Sequence, residues 1–229
     1  MRTIVYIDGY NLYYGRFKHT NYKWLDVVSL SNQLCKIQNT NSHLQAVKYF
    51  TAPIKARFAT NGDKAVASQI HYINALKKIY PECFEDIQGY LTDSKDTPMR
   101  YTNPPDKTER VETWKLEEKQ TDVNIAIHMY RDAARNLCDQ QVLISSDTDL
   151  VAALEFIKKD FENITIGLIK TNRNGSTKKN KGEYKRSAKS LETHSSWSIE
   201  NITDAQCANN LLPDKIPTYK KPIKKPGYW

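Results

Sequence analysis

Thr3-Ile4-Val5-Tyr6-Ile7-Asp8-Gly9-Tyr10-Asn11 is the stretch on which the fold turns. β-branched, apolar and aromatic residues run together from Thr3 and stop at a carboxylate, followed by a polar turn. A short continuous run of this kind predicts a strand buried on both faces, as in parallel sheets covered by helices. Ligands of such sheets bind beyond the carboxyl ends of the strands. Asp8 therefore stands where the chemistry of a parallel α/β protein is expected.

The chain downstream alternates accordingly. Trp24 to Ile37 carries Leu25, Val28, Leu30 and Leu34 at helical spacing, and Leu44 to Thr51 reads as a strand before Pro53, completing a βαβ unit. Asn61 to Tyr80 predicts a helix stopped by Pro81, and Cys83 to Leu91 a third strand. Thr92 to Arg110, with Pro98, Pro104, Pro105 and charges of both signs, reads as a long surface loop, with Val111 to Leu116 returning from it. Thr121 to Leu137 has helical periodicity through Val123, Ile127, Tyr130 and Ala134. Gln141 to Ser145 then predicts a strand, Asp149 to Phe161 a helix and Ile164 to Ile169 another strand. Ser187 to Trp197 reads as a helix and Ser198 to Ile202 as a closing strand. The expectation is an α/β fold with a mainly parallel central sheet and helices on both faces.

Charge is segregated along the 229 residues. The formal net charge is +8, from 34 Lys+Arg and 26 Asp+Glu. Residues 1–169 hold 21 of each sign, so the whole excess falls in residues 170–229, with 13 basic and 5 acidic residues. A segregated basic segment points to a polyanionic partner. Residues 170–189 read as a basic loop, in which Arg173, Lys178, Lys179, Lys181, Lys185 and Arg186 would grip a phosphate backbone without reading sequence. Residues 206–229 read as a basic, proline-containing tail, extended over Pro213 to Trp229, so that a chain cut after Ile202 is expected to keep its folded core. No apolar run approaches the roughly 18 residues of a membrane span, so a membrane role is not expected. Cys35, Cys83, Cys138 and Cys207 form no C-x-x-C pair and fit reduced thiols in a cytoplasmic protein. His19, His43, His71, His128 and His194 lack metal-ligand spacing, and His128 reads as a packed helix residue.

Aspartates gather at the predicted strand ends. The first strand delivers Asp8 and Asn11, the helix from Thr121 begins with Asp122, and Ser145-Ser146-Asp147-Thr148-Asp149 follows a later strand. Asp122, Asp147 and Asp149 also suit helix starts, where free N–H groups favour carboxylates. Their joint placement on one edge is the functional signal, because crowded carboxylates repel unless a cation neutralises them. Oxygen-only ligands favour one or two Mg²⁺ or Mn²⁺ ions over zinc, and hence phosphodiester hydrolysis. Asp8, Asp122, Asp147 and Asp149 are the candidate metal ligands and catalytic residues. Asn11 would orient a ligand or water, and Lys119 would contact a phosphate. Tyr10, Tyr13 and Tyr14 beside Asp8 could stack on the bases of single-stranded RNA.

Asp8-Gly9-Tyr10-Asn11 after a strand, Lys119-x-x-Asp122 opening a helix and Ser145-x-Asp147-x-Asp149 after a strand resemble the NYN domain, part of the PIN-like nuclease superfamily, over roughly residues 1–205. The resemblance implies a PIN-like, Rossmannoid three-layer sandwich and Mg²⁺- or Mn²⁺-dependent ribonuclease activity. It implies an acidic site onto which Asp8, Asp122, Asp147 and Asp149 map, with Asn11 in the first motif, and is compatible with a homodimer. Asn124 departs from the apolar residue many members carry, and residues 92–110 have no counterpart in the pattern. A haloacid dehalogenase phosphatase would need a second aspartate where Tyr10 stands. The alternative to a metal-dependent endoribonuclease is an inactive or weak NYN-type module that binds RNA or a protein.

Overall fold

In the computed structural model, which describes residues 1–171 and 189–229, the opening run forms strand β1 (Arg2–Asp8). It lies at the centre of a six-stranded sheet with β2 (His43–Thr51), β3 (Phe84–Gln88), β6 (Gln140–Ile144), β7 (Thr165–Ile169) and β8 (Trp197–Ile199), in the order β3-β2-β1-β6-β7-β8. Every pairing in this sheet is parallel. Strands β4 (Tyr90–Asp96) and β5 (Thr113–Lys119) pair with each other instead, as an antiparallel ribbon. Helices α1 (Gly9–Leu12), α2 (Val27–Gln38), α3 (Asp63–Ile79), α4 (Thr121–Ala134), α5 (Val151–Asp160), α6 (Lys189–Glu192) and α7 (Asp204–Ala208) complete the chain with the two-stranded pair β9 (Lys215–Ile216) and β10 (Ile223–Lys224).

Alternate residues of β1 face opposite layers, as the pleat requires. Val5 and Ile7 pack with α2 and α3 residues such as Leu34 and Leu76. Ile4 and Tyr6 pack with Ile125, Met129 and Leu154 of α4 and α5. The result is the expected three-layer α/β sandwich. The order reverses at β1, whose two neighbours β2 and β6 belong to opposite halves of the sheet. That reversal opens a crevice at the carboxyl ends of β1 and β6.

Helix starts follow local capping. Trp24 and Leu25 precede α2 because Asp26 takes the N-cap position, its Oδ1 accepting from the Val28 and Ser29 amides at 3.1 and 2.9 Å. Helix α4 forms as expected, but its buried stripe is Ile125, Met129 and Ala133, whereas Val123, Ile127 and Tyr130 face outward. The helix was legible; the face it buries was not, because both sets have helical spacing. His128 is half-buried, edge-on to the Phe50 ring at 5.5 Å.

Three other expectations are corrected. Residues 92–110 are not all loop: β4 continues to Asp96, and its polar alternation serves a ribbon whose hydrogen bonds run to β5 rather than to a buried sheet. The helix expected over Ser187 to Trp197 is reduced, among the described residues, to the single turn α6. Nor is the segment after Ile202 dispensable to the core, and the stretch from Pro213 to Trp229 does not stand off it as an extended tail. Cys207, Leu212 and Ile216 are buried in the core. The Trp24 indole donates to the Pro213 carbonyl at 2.9 Å, and Trp229 stacks near Trp24 and Tyr72 with ring centres 6.0 and 5.9 Å apart. Lysines and prolines masked these few apolar anchors in the composition.

Gly167 in β7 has no room for a side chain. A Cβ there would fall 2.2 Å from the Cζ2 atom of Trp197 on β8. The indole is itself held by donation to Gln140 Oε1 at 3.2 Å. Gly167→Ala is therefore expected to destabilise the fold by about 1–3 kcal/mol, the range for overpacking a filled site. A lower urea midpoint checks this, and an unchanged midpoint would show that β8 yields freely.

Candidate metal centre

Asp8 ends β1 and is almost wholly buried. Its Oδ1 accepts from the Asn11 amide at 2.9 Å, capping α1, and its Oδ2 accepts from the Ser145 hydroxyl at 3.1 Å. Gly9 follows because a Cβ there would fall 2.7 Å from the Phe50 carbonyl oxygen and 2.8 Å from the Tyr49 ring. Ser145 Oγ also accepts from the Asp147 amide at 3.0 Å, so one hydroxyl sets the spacing of two carboxylates. Asp147 caps the turn Thr148–Leu150 by accepting from the Asp149 amide at 3.0 Å. Asp122 enters from the first turn of α4, after Gln120 in the left-handed region at φ 74°.

Asp8, Asp122 and Asp147 each present a carboxylate oxygen within 4.8 Å of the others. Burial pushes the Asp8 carboxyl up to about 6, offset by its hydrogen bonds from Asn11 and Ser145 and reinforced by Asp122 and Asp147. Asp122 is raised first by burial and then by Asp147 and Asp149, which places Asp149 in the same electrostatic cluster. Such a set suits a hard divalent cation, since oxygen ligands and uncompensated negative charge are what Mg²⁺ and Mn²⁺ require. None of the described histidines belongs to the group.

Of the expected aspartates, Asp8, Asp122 and Asp147 are brought together, while Asp149 stands outside that group of three. Asn11 does not simply face a ligand: its Oδ1 accepts from the Ser146 amide at 3.0 Å and from the Thr171 hydroxyl, tying β1 to the β6 and β7 ends. Lys119 ion-pairs Glu117 at 3.0 Å at the root of the ribbon, where it lies opposite Tyr90. Tyr10 donates to the Ala52 carbonyl at 3.3 Å and lies 5.9 Å from the Tyr14 ring at an interplanar angle of 10°. Tyr13 packs on the core, and Tyr14 is exposed. Arg173, Lys178, Lys179, Lys181, Lys185 and Arg186 lie outside the described residues. Lys170, at the start of the expected basic loop, is buried between Glu192 and Glu200.

Sequence reasoning missed Glu118. Its carboxyl is pushed up to about 7, first by burial and then by Asp8 and Asp122, while it accepts from the Thr121 hydroxyl at 2.6 Å. The signal was present as an acid four residues before Asp122, but it reads as solvated while β5 is taken to stop at Leu116. Ser146 and Thr171 gave no such signal, because their role arises only from the β6-β7 pairing.

A stability prediction follows from Asp8. Its folded-state pKa lies above the ordinary 3.8, so the metal-free fold binds the proton more tightly than the unfolded chain. The associated stability is full below that ordinary value and is lost as pH rises through the folded-state value. A two-unit displacement corresponds to about 3 kcal/mol. In EDTA at pH 7.5, Asp8→Asn is expected to melt above the wild type, with a smaller advantage at pH 4.5. A variant that melts below the wild type in EDTA would contradict the buried charge.

The NYN domain family model matches residues 2–183. A protein of Pseudomonas putida (strain DSM 28022 / S16), 6-hydroxy-3-succinoylpyridine 3-monooxygenase HspA, is 35% identical over 247 aligned positions, covering 100% of this chain and 75% of that protein. The crystal structure of a protein of unknown function, VPA0982 from Vibrio parahaemolyticus RIMD 2210633, aligns with a TM-score of 0.47 at 16% identity, covering 92% of this chain and 96% of that one. With the family match extending from β1 beyond the last of the acidic motifs, the chain belongs to the NYN domain family.

Proposed function

We propose that this protein is a metal-dependent endoribonuclease, with Asp8, Asp122, Asp147 and Asp149 holding one or two Mg²⁺ or Mn²⁺ ions. The observation that carries the reading is the convergence of three carboxylates within 4.8 Å of one another around a buried Asp8. It is supported by membership of a family whose domains suggest nuclease-type chemistry. A divalent cation in such a site lowers the pKa of a bound water and offsets charge on the phosphate.

The chain's own residues supply orientation. Ser145 and Asn11 fix the two oxygens of Asp8, and Ser145 also fixes the backbone of Asp147. Water attack at phosphorus would break one of the two ester P–O bonds, leaving a phosphate on one fragment and a hydroxyl on the other. Glu118, whose carboxyl is raised first of all by burial, is the neighbouring acid assigned to proton exchange. Lys119, at the end of β5, and the basic residues from Arg173 to Arg186 are assigned to the phosphate backbone, whose neutralisation makes affinity fall with salt. Single-stranded RNA is the assigned substrate, since Tyr14 offers an exposed ring to an unpaired base.

A second reading comes from HspA, whose name describes a monooxygenase acting on a substituted pyridine. The aromatic cleft next to Glu118 favours a ring-shaped ligand. The carboxylate cluster without histidine favours hydrolysis, because oxygen-activating non-haem iron sites commonly pair two histidines with one carboxylate. Incubating mixed labelled RNAs with the protein and Mg²⁺ or Mn²⁺ tests the assignment. Cleavage that appears with metal and vanishes with EDTA is expected. Binding without cleavage would instead identify an RNA-binding module.

A further inference from the structure

The geometry points to a second binding site beside the carboxylates: we infer that the cleft under the β4-β5 ribbon seats a planar nitrogen heteroaromatic ring carrying an anionic arm. For RNA, this ring is a base next to the cleaved phosphate, and that part of the inference rests on the proposed ribonuclease activity.

The cleft encloses about 680 Å³, within the roughly 300–1,000 Å³ of small-molecule sites. Its lining includes Gly9 and Tyr10, which follow Asp8 in the chain, and Glu118. The nearly parallel Tyr10 and Tyr14 rings stand on one side, and Phe58, Tyr49 and Trp229 contribute further aromatic surface. Phe58 is held in place, edge-on to Trp114 at 5.7 Å with the Arg57 guanidinium 4.7 Å from its ring centre. Arg57 and Lys55 both pair with Asp93, tying the ribbon down over the cleft. Leu91 and Leu116 of that ribbon line the same space, which explains why Leu116 is directed away from the main core.

Aromatic walls favour a planar ring, through offset stacking, over a flexible aliphatic chain. The ring needs polar recognition as well, and the exposed Asn61 amide at the wall offers a donor and an acceptor. Gln69 is already committed, to the Ile54 amide and the Ala52 carbonyl at 2.9 Å each. The side chains of Lys18, His19 and Lys23 also line the cleft, the Lys18 ammonium 4.8 Å from the Tyr14 ring centre. A ligand with its ring among the tyrosines would set a phosphate or carboxylate against these lysines. A nucleotide and a pyridine carboxylate share this chemistry.

The test is direct binding to the full chain in EDTA, read by quenching of tryptophan fluorescence and by calorimetry. The probes are AMP, UMP, nicotinate and, as a control without an aromatic ring, ribose 5-phosphate. At least one ring probe is expected to bind where ribose 5-phosphate does not. Tyr14→Ala should weaken that binding about tenfold or more, in line with the loss of one stacking ring, and Tyr14→Trp should restore it. Ala65→Phe, which fills the cleft from α3, should abolish it while leaving the circular dichroism spectrum and melting cooperativity native. Binding of the nucleotides alone assigns the ring to RNA, binding of nicotinate alone assigns it to a small molecule, and either supports the site. Equal binding of ribose 5-phosphate and AMP would overturn it, as would no ring binding or full affinity in a folded Ala65→Phe. Because no cleavage is measured, a failed nuclease assay leaves this result readable. Conversely, Asp8→Asn separates the two by losing cleavage while keeping the ring.

Discussion

Asp147→Asn is expected to lower RNA cleavage by at least about a thousandfold, a loss of about 4 kcal/mol of transition-state stabilisation, with the fold intact. The carbonyl oxygen of Asn can still accept from the Asp149 amide, so the capped turn after β6 is preserved. What disappears is one negative charge from the group formed with Asp8 and Asp122. A site that works by neutralising phosphate charge loses most of its power when its cation is weakly held or misplaced. Single-turnover cleavage at saturating RNA checks the figure, and excess Mn²⁺ should recover part of the rate if cation affinity is the lost property. A reduction below about tenfold would remove Asp147 from the chemistry.

Removing residues 203–229 is expected to abolish cooperative folding. The deletion strips Cys207, Leu212 and Ile216 from the core and uncovers Trp24, which also loses the carbonyl of Pro213. Buried Arg16 loses Asp204, its charge partner, while keeping the Ile202 carbonyl at 2.7 Å. The Asn210 carbonyl, which accepts from the Asp26 amide at 2.7 Å, goes too, and with it a support of the α2 cap. Each large core side chain removed costs about 2–5 kcal/mol, against a total stability of about 5–15 kcal/mol for a domain. Loss of the sigmoidal thermal transition is the expected readout. A truncated chain that melts within a few degrees of the full chain would show that this segment merely covers the core.

The parallel sheet was legible because β1 is a continuous apolar run that ends in Asp8, and because three acidic motifs each followed a strand or opened a helix. What placed them together was strand order, which no local pattern contains: β1 and β6 are neighbours at the point where the order reverses. The β4-β5 ribbon was hidden because it buries little, so its charged alternation resembles that of a loop. Glu118 was hidden with it, since its value as a site residue depends on that ribbon ending beside Asp8. Trp229 and Ile216 were hidden by the lysines and prolines around them. The excess charge of +8 falls wholly in residues 170–229, whereas the acidic crevice lies within the neutral first 169 residues.

The most direct test of the central claim is to count bound Mn²⁺ by electron paramagnetic resonance while following RNA cleavage in the same titration, for the wild type and Asp8→Asn. At least one Mn²⁺ per chain is predicted in the wild type, with cleavage rising in step with occupancy and both lost in the variant. Unchanged Mn²⁺ binding in Asp8→Asn, or cleavage that persists in EDTA, would contradict a hydrolytic metal centre at the end of β1.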